Sequence, residues 1–236
     1  MNLNPKILIN EKEHRLPAYL TVEQWSNLMK YDFKQEKLWP RILAEVLPIE
    51  PSDLDGIPKD TMEVLVSILV FKMNQRKQTK SIKNFDDILF GEFIDLDIYI
   101  AQGAEKNLDA ILKILFKKVT RADEALWGID QFIKWREGIF KTYKVLFGLD
   151  DRDFEERDEE DEDGEPMAHD PLALARNWYR VIVELANWDV LKLDDVTDLP
   201  LMKALNFMAL KKQKNIEEDA AIKKQKRAYD VQRRSL

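Results

Sequence analysis

Hydrophobic residues recur along this chain mostly with helical spacing, and polar runs mark where one element stops and the next begins. The stretch Lys6 to Pro17, KILINEKEHRLP, is the exception. Two short extended runs flank the polar Asn10-Glu11-Lys12-Glu13, which predicts a small β-hairpin. Thr21 and Gln24 have capping-box spacing, and Val22, Trp25, Leu28 and Met29 share one helical face, so a first helix is expected from about Val22 to Tyr31. Leu38, Ile42, Leu43, Val46 and Leu47 predict a second short helix, with Pro40 tolerated in its first turn and Pro48 and Pro51 stopping it. Asp60 and Glu63 open a third, whose run from Met62 to Phe71 is apolar on nearly every face, the pattern of a helix central to a core.

Between Met73 and Asn84 the polar, basic NQRKQTKSIK predicts a surface loop with a short extended piece. Phe85 to Ala101 then sets Phe90, Phe93, Ile94, Leu96 and Ile98 against Asp86, Asp87, Glu92, Asp95 and Asp97. Helical spacing continues through Leu108 to Val119 and Ala122 to Leu149. Further on, Asp170-Pro171 is a cap followed by a first-turn proline. Leu174, Trp178, Val181, Ile182, Leu185 and Trp188 follow at helical spacing. Asp194 to Pro200 reads as a turn, and Leu201 to Lys214 resumes a helix with Leu205, Phe207, Met208 and Leu210. The expected fold class is mainly α with a small N-terminal β-hairpin, α+β being the alternative. It comprises a helical bundle-like body and a set of C-terminal helices.

Charge divides this pattern. Asp150 to Glu165, DDRDFEERDEEDEDGE, carries twelve acidic side chains against Arg152 and Arg157, so its net of −10 exceeds the −7 of the whole chain and the remainder sums to +3. A run with so few apolar residues buries too little surface to offset the entropy of ordering it, and it reads as a solvated spacer. Three parts follow: a body over 1–149, an acidic linker over 150–169 and a C-terminal helical segment over 170–236. The segment ends in a basic tail from Lys211 with nine basic and four acidic residues.

Composition removes several chemistries. Cysteine is absent, which excludes disulfides, thiolate nucleophiles and cysteine-bound zinc. No apolar run approaches the roughly 18 residues that span a bilayer, so a soluble, unprocessed protein without membrane contact is expected. Neither Gly-rich nucleotide motif occurs. His14 and His169 lack the surroundings of a catalytic constellation. The acidic set from Asp86 to Asp97 reads as a solvated face rather than a ligand set, because Asp95 and Asp97 point to different sides of a helix. The basic tail has one aromatic residue, Tyr229, too few for a stacking platform, so nucleic acid is not the expected partner. The expectation is a protein that is not an enzyme and needs no cofactor or metal.

Three stretches carry a family resemblance: KILINEKEHRLPAYLTVEQW; FGEFIDLDIYI with KNLDAILKILF after it; and WYRVIVELANWDVLKLDDVTDLPLMKALNFMALKKQKN. They are similar to tail or baseplate assembly proteins of large tailed phages, and the last resembles the closing helices and lysine-rich end of tail-assembly chaperones. The resemblance implies binding to another virion or tail protein, as a chaperone in the host cytoplasm during assembly. A structural component retained in the virion is the alternative, and a small intracellular enzyme is an outside third. The partner would be covered by an amphipathic helical surface. Its expected residues are Trp178, Ile182, Leu185, Trp188, Leu201, Leu205 and Met208. Packing of these same residues on the body is the competing expectation, and the oligomeric state stays open.

Overall fold

The structure, a computed structural model, describes residues 5–147 and 171–234. The acidic run, and with it the expected spacer, lies outside the described residues, as do His169 and Asp170. Among the described residues there are ten α-helices and one two-stranded antiparallel sheet, so the mainly α class with a hairpin holds. The chain forms two compact units that interleave in sequence: residues 1–83 with 103–133, and residues 84–102 with 134–236. The stretch 1–149 therefore contributes to both units, and the segment after the acidic run shares a unit with residues 84–102.

In the first unit, β1 (Lys6–Ile9) pairs with β2 (Lys12–Arg15) through a two-residue turn. Asn10 and Glu11 there have φ of 48° and 62°, the left-handed pair that matches the strand twist of a tight hairpin. Alternation buries Ile7 and Ile9 and leaves Leu8 out. Helix α1 (Val22–Leu28) has the predicted capping box: the Gln24 amide donates to Thr21 Oγ1 at 3.1 Å and the Thr21 amide to Gln24 Oε1 at 3.1 Å. Trp25 Nε1 donates to the Met73 carbonyl at 3.2 Å, which pins α1 to the end of α3 (Lys59–Met73). Helix α2 (Trp39–Ala44) takes Pro40 in its first turn and buries Ile42 and Leu43.

Helix α3 (Lys59–Met73) corrects one expectation. It is not sheathed on all sides: Leu65, Val66, Leu69 and Met73 are buried, whereas Val64 and Phe71 on the other face are 58% and 53% exposed. Helix α5 (Leu108–Leu115) buries Ile111 and Leu115. The 75–84 loop is extended where Ile82 bridges Phe116, and the Lys83 amide donates to the Leu115 carbonyl at 2.7 Å. Arg121 holds Asp123 through two hydrogen bonds of 3.0 and 2.6 Å. Burial alone would push the Asp123 carboxyl up, but the Arg121 hydrogen bonds and charge outweigh it and hold the group below the usual carboxylate range.

Helix α6 (Ala122–Thr142) supplies residues to both units. In the second unit its later residues join α4 (Phe90–Ala101), α7 (Lys144–Phe147), α8 (Pro171–Leu185), α9 (Leu193–Thr197) and α10 (Leu201–Arg234). The expected turn at Asp194–Pro200 is mostly the short helix α9, preceded by a 3-10 turn at Val190–Lys192. The approach to α4 is backbone-directed: the Phe90 amide donates to the Leu199 carbonyl at 2.8 Å and the Leu201 amide to the Ile88 carbonyl at 3.1 Å. Close packing of α4 on α9 needs Gly91, since a Cβ there would sit 2.9 Å from Thr197 Cβ. Helix α10 is anchored at its start by buried Leu201, Ala204 and Leu205, by Asn206 accepting from Tyr143 Oη at 2.7 Å, and by Lys212 Nζ donating to the Leu146 carbonyl at 3.2 Å.

Candidate partner-binding surface on helix α8

Helix α8 carries two apolar stripes. The sequence pattern singles out Leu174, Trp178, Val181 and Leu185, at i, i+4, i+7 and i+11, and this stripe faces the core of its unit. Trp178 is 5% exposed and meets Phe90, Phe93 and Phe147 edge-on, with ring centroids 5.9 to 6.0 Å apart. Offset and edge contacts of this kind add to the area term of burial.

The Trp178 indole also explains a buried carboxylate. Asp97 is 1% exposed, and its Oδ2 accepts from Trp178 Nε1 at 2.8 Å while Oδ1 is held by Arg136. The expectation of a solvated acidic face is thus corrected at Asp97: helical periodicity turns this one carboxylate inward, and an arginine and an indole satisfy it there. Asp86, Asp87 and Asp95 are exposed. Among the described residues no group of three or more His, Cys, Asp or Glu side chains could hold a metal ion. His14 pairs with Ile7 in the hairpin.

Of the seven expected partner residues, Trp178, Leu201 and Leu205 are buried in their own unit. Ile182, Leu185 and Met208 are half-buried. Only Trp188 stands clear, at 79% exposure. Helical spacing puts Trp188 on the face of Trp178, but the helix has ended before it. The Asn187 amide donates to the Glu184 carbonyl at 3.2 Å and the Trp188 amide to the Val183 carbonyl at 3.0 Å, a Schellman closure with Asn187 as its left-handed residue. Asn187 has φ of 55° and Trp188 has φ of 62°. The turn carries the indole away from the core and onto the opposite stripe.

That second stripe is Leu172, Arg176, Tyr179 and Val183, again at i, i+4, i+7 and i+11. With Ala175, Arg180 and Trp188 it lines an open groove of about 540 Å³. Tyr179 is 59% exposed, and in the following 3-10 turn Leu191 is 86% exposed. A bulky residue in left-handed backbone costs on the order of 1–3 kcal/mol and persists where the site depends on it. Tyr179, Val183 and the two arginines were missed by sequence reasoning, because one amphipathic stripe already accounted for the helix. The signal was present in Asn187, a helix-stopping residue just past the last periodic position.

Among the described residues no helix is long and apolar enough to cross a membrane. No family model, curated protein or solved structure matches this chain.

Proposed function

We propose that this protein acts by binding another protein through the outer face of α8, as an assembly factor and not as a catalyst. One observation carries the reading: Trp188 lies 79% exposed on a strained backbone beside Tyr179 and Val183, at the rim of an apolar groove. Tryptophan and tyrosine dominate binding hot spots, because each brings about 150–250 Å² of surface to an interface. The left-handed turn closes the helix end, but the indole it carries stays exposed, which fits a residue that finds its contacts in a partner.

The partner class comes from the sequence resemblance to phage tail and baseplate assembly proteins. It makes the partner another virion protein, which this chain holds during assembly in the host cytoplasm as a chaperone. Co-expression with each tail and baseplate protein of the same phage, followed by size-exclusion chromatography, tests the reading. A stable complex is expected with one of them, weakened about tenfold or more in W188A, as for a hot-spot residue worth over 1.4 kcal/mol. Complexes that form equally well with W188A, or with none of the virion proteins, defeat the reading. Mass spectrometry of purified particles separates a chaperone, which is absent, from a retained component, which is present in stoichiometric amount.

A further inference from the structure

The groove on α8 has an electrostatic character as well as an apolar one. Arg176 and Arg180 line it one helical turn apart, on either side of Tyr179 in sequence. Among the described residues no aspartate or glutamate lines it. Arg15 pairs with Glu13, Arg76 with Asp130, Arg121 with Asp123 and Arg136 with Asp97, while exposed Arg41 has no ion pair among the described residues. Arg176 and Arg180 have no ion-pair partner among the described residues. Glu184 lies at i+4 from Arg180, yet no ion pair joins them. Two like charges at i and i+4 destabilise an isolated helix by about 0.2–0.5 kcal/mol. Helix stability therefore does not account for the pair, and neither does packing, since both side chains are exposed.

We infer that the groove takes an acidic peptide segment of the partner that also bears a large apolar side chain. This inference rests on the docking reading above and specifies the chemistry of the docked segment. The apolar side chain enters among Ala175, Tyr179, Val183 and Trp188, while flanking carboxylates accept from the two guanidiniums, whose planar forks suit carboxylate oxygens. Two rings, Tyr179 and Trp188, with two arginines fall short of a single-strand nucleic-acid platform, which is built from successive aromatic faces along a continuous basic track.

The test uses the full chain and fluorescence anisotropy with three labelled peptides: EEDFEELDE, its neutral counterpart QQNFQQLNQ, and a basic KKRFKKLKR. A labelled oligothymidine serves as the nucleic-acid probe. The acidic peptide is expected to bind about tenfold or more tighter than the neutral one, with affinity falling as salt rises. The R176E/R180E variant should remove that advantage and W188A should weaken what remains. Circular dichroism verifies that both variants keep the parent helicity. Equal binding of acidic and neutral peptides, still lost in W188A, overturns the acidic specificity and leaves the docking reading intact. No binding of the acidic peptide, or binding that R176E/R180E does not change, overturns the inference. Tighter binding of the oligothymidine than of the acidic peptide overturns it in favour of nucleic acid. The docking reading fails separately, if W188A leaves the virion-protein complex unchanged.

Discussion

The two faces of α8 show how one helix can serve both fold and surface. The inner face places Trp178 in an aromatic cluster and spends its one polar atom on Asp97, which Arg136 also holds. The outer face presents Tyr179, Val183 and Trp188 with two arginines that have no ion-pair partner among the described residues. Both faces have a tryptophan, apolar residues at helical spacing and arginine nearby. What differs is whether each polar group has a partner within its own unit. The inner face has its polar groups satisfied by protein partners, and the outer face leaves its arginines to solvent.

The sharpest way to break this comparison is to remove each tryptophan in turn. W178A should cost about 3–5 kcal/mol, the range for deleting a buried large aromatic, whereas W188A should change stability by no more than about 0.5 kcal/mol. Chemical denaturation of the two variants decides it, and similar losses would erase the distinction between the faces. Next in size is D97A, which strips the partner from Arg136 and Trp178 and should cost about 3 kcal/mol, toward the lower end for breaking a buried pair because Arg136 is only part-buried. A loss below 1 kcal/mol would show that the carboxylate does not hold the inner face.

Replacing Gly91 with alanine pushes a methyl against Thr197, where the distance would be 2.9 Å. A cost of about 1–2 kcal/mol is expected from overpacking, read as a lower melting temperature with unchanged peptide binding. W188G should act in the opposite direction. Glycine relieves the left-handed backbone at φ 62°, so stability should rise by about 1 kcal/mol while partner binding is lost. A drop in stability would mean that the indole holds the turn together and is not spare for a partner. The smallest effect lies in the other unit and serves as a control. Asp123 has a folded-state pKa below its unfolded value, so its contribution is present above pH about 4 and fades as pH falls through the folded value. The stability gap between the parent and D123N should therefore narrow below pH 4, and by the same amount in a W188A background.

Much of the local structure was legible because it depends on near neighbours. Thr21 with Gln24 forms its capping box, the hairpin forms with Asn10-Glu11 as its turn, although Lys12 and Glu13 belong to β2 and not to the connection, and Pro171 begins α8 as the first-turn proline. The misreadings have a common origin in reading one face at a time. The run Met62 to Phe71 promised a fully sheathed helix, yet only one side of α3 found neighbours. Asp97 belonged to an acidic series and looked solvated until Arg136, 39 residues away, and Trp178, 81 residues away, were brought to it. Trp188 fitted the spacing of the inner stripe, but a short-range backbone closure at Asn187 sent it elsewhere.

By itself the sequence determined the helical class, the hairpin, the Thr21–Gln24 cap and the concentration of acidic charge in one stretch, since propensity, periodicity and charge act over a few residues. Tertiary structure alone decided which of two equivalent stripes on α8 was buried and which carboxylate became part of a core. It also decided that residues 84–102 and 134–147 share a unit with the helices after the acidic run. The physical reason is that burial is a property of what packs against a face. A chain with more apolar stripes than neighbours must leave one of them uncovered, and which one depends on contacts between residues far apart in sequence.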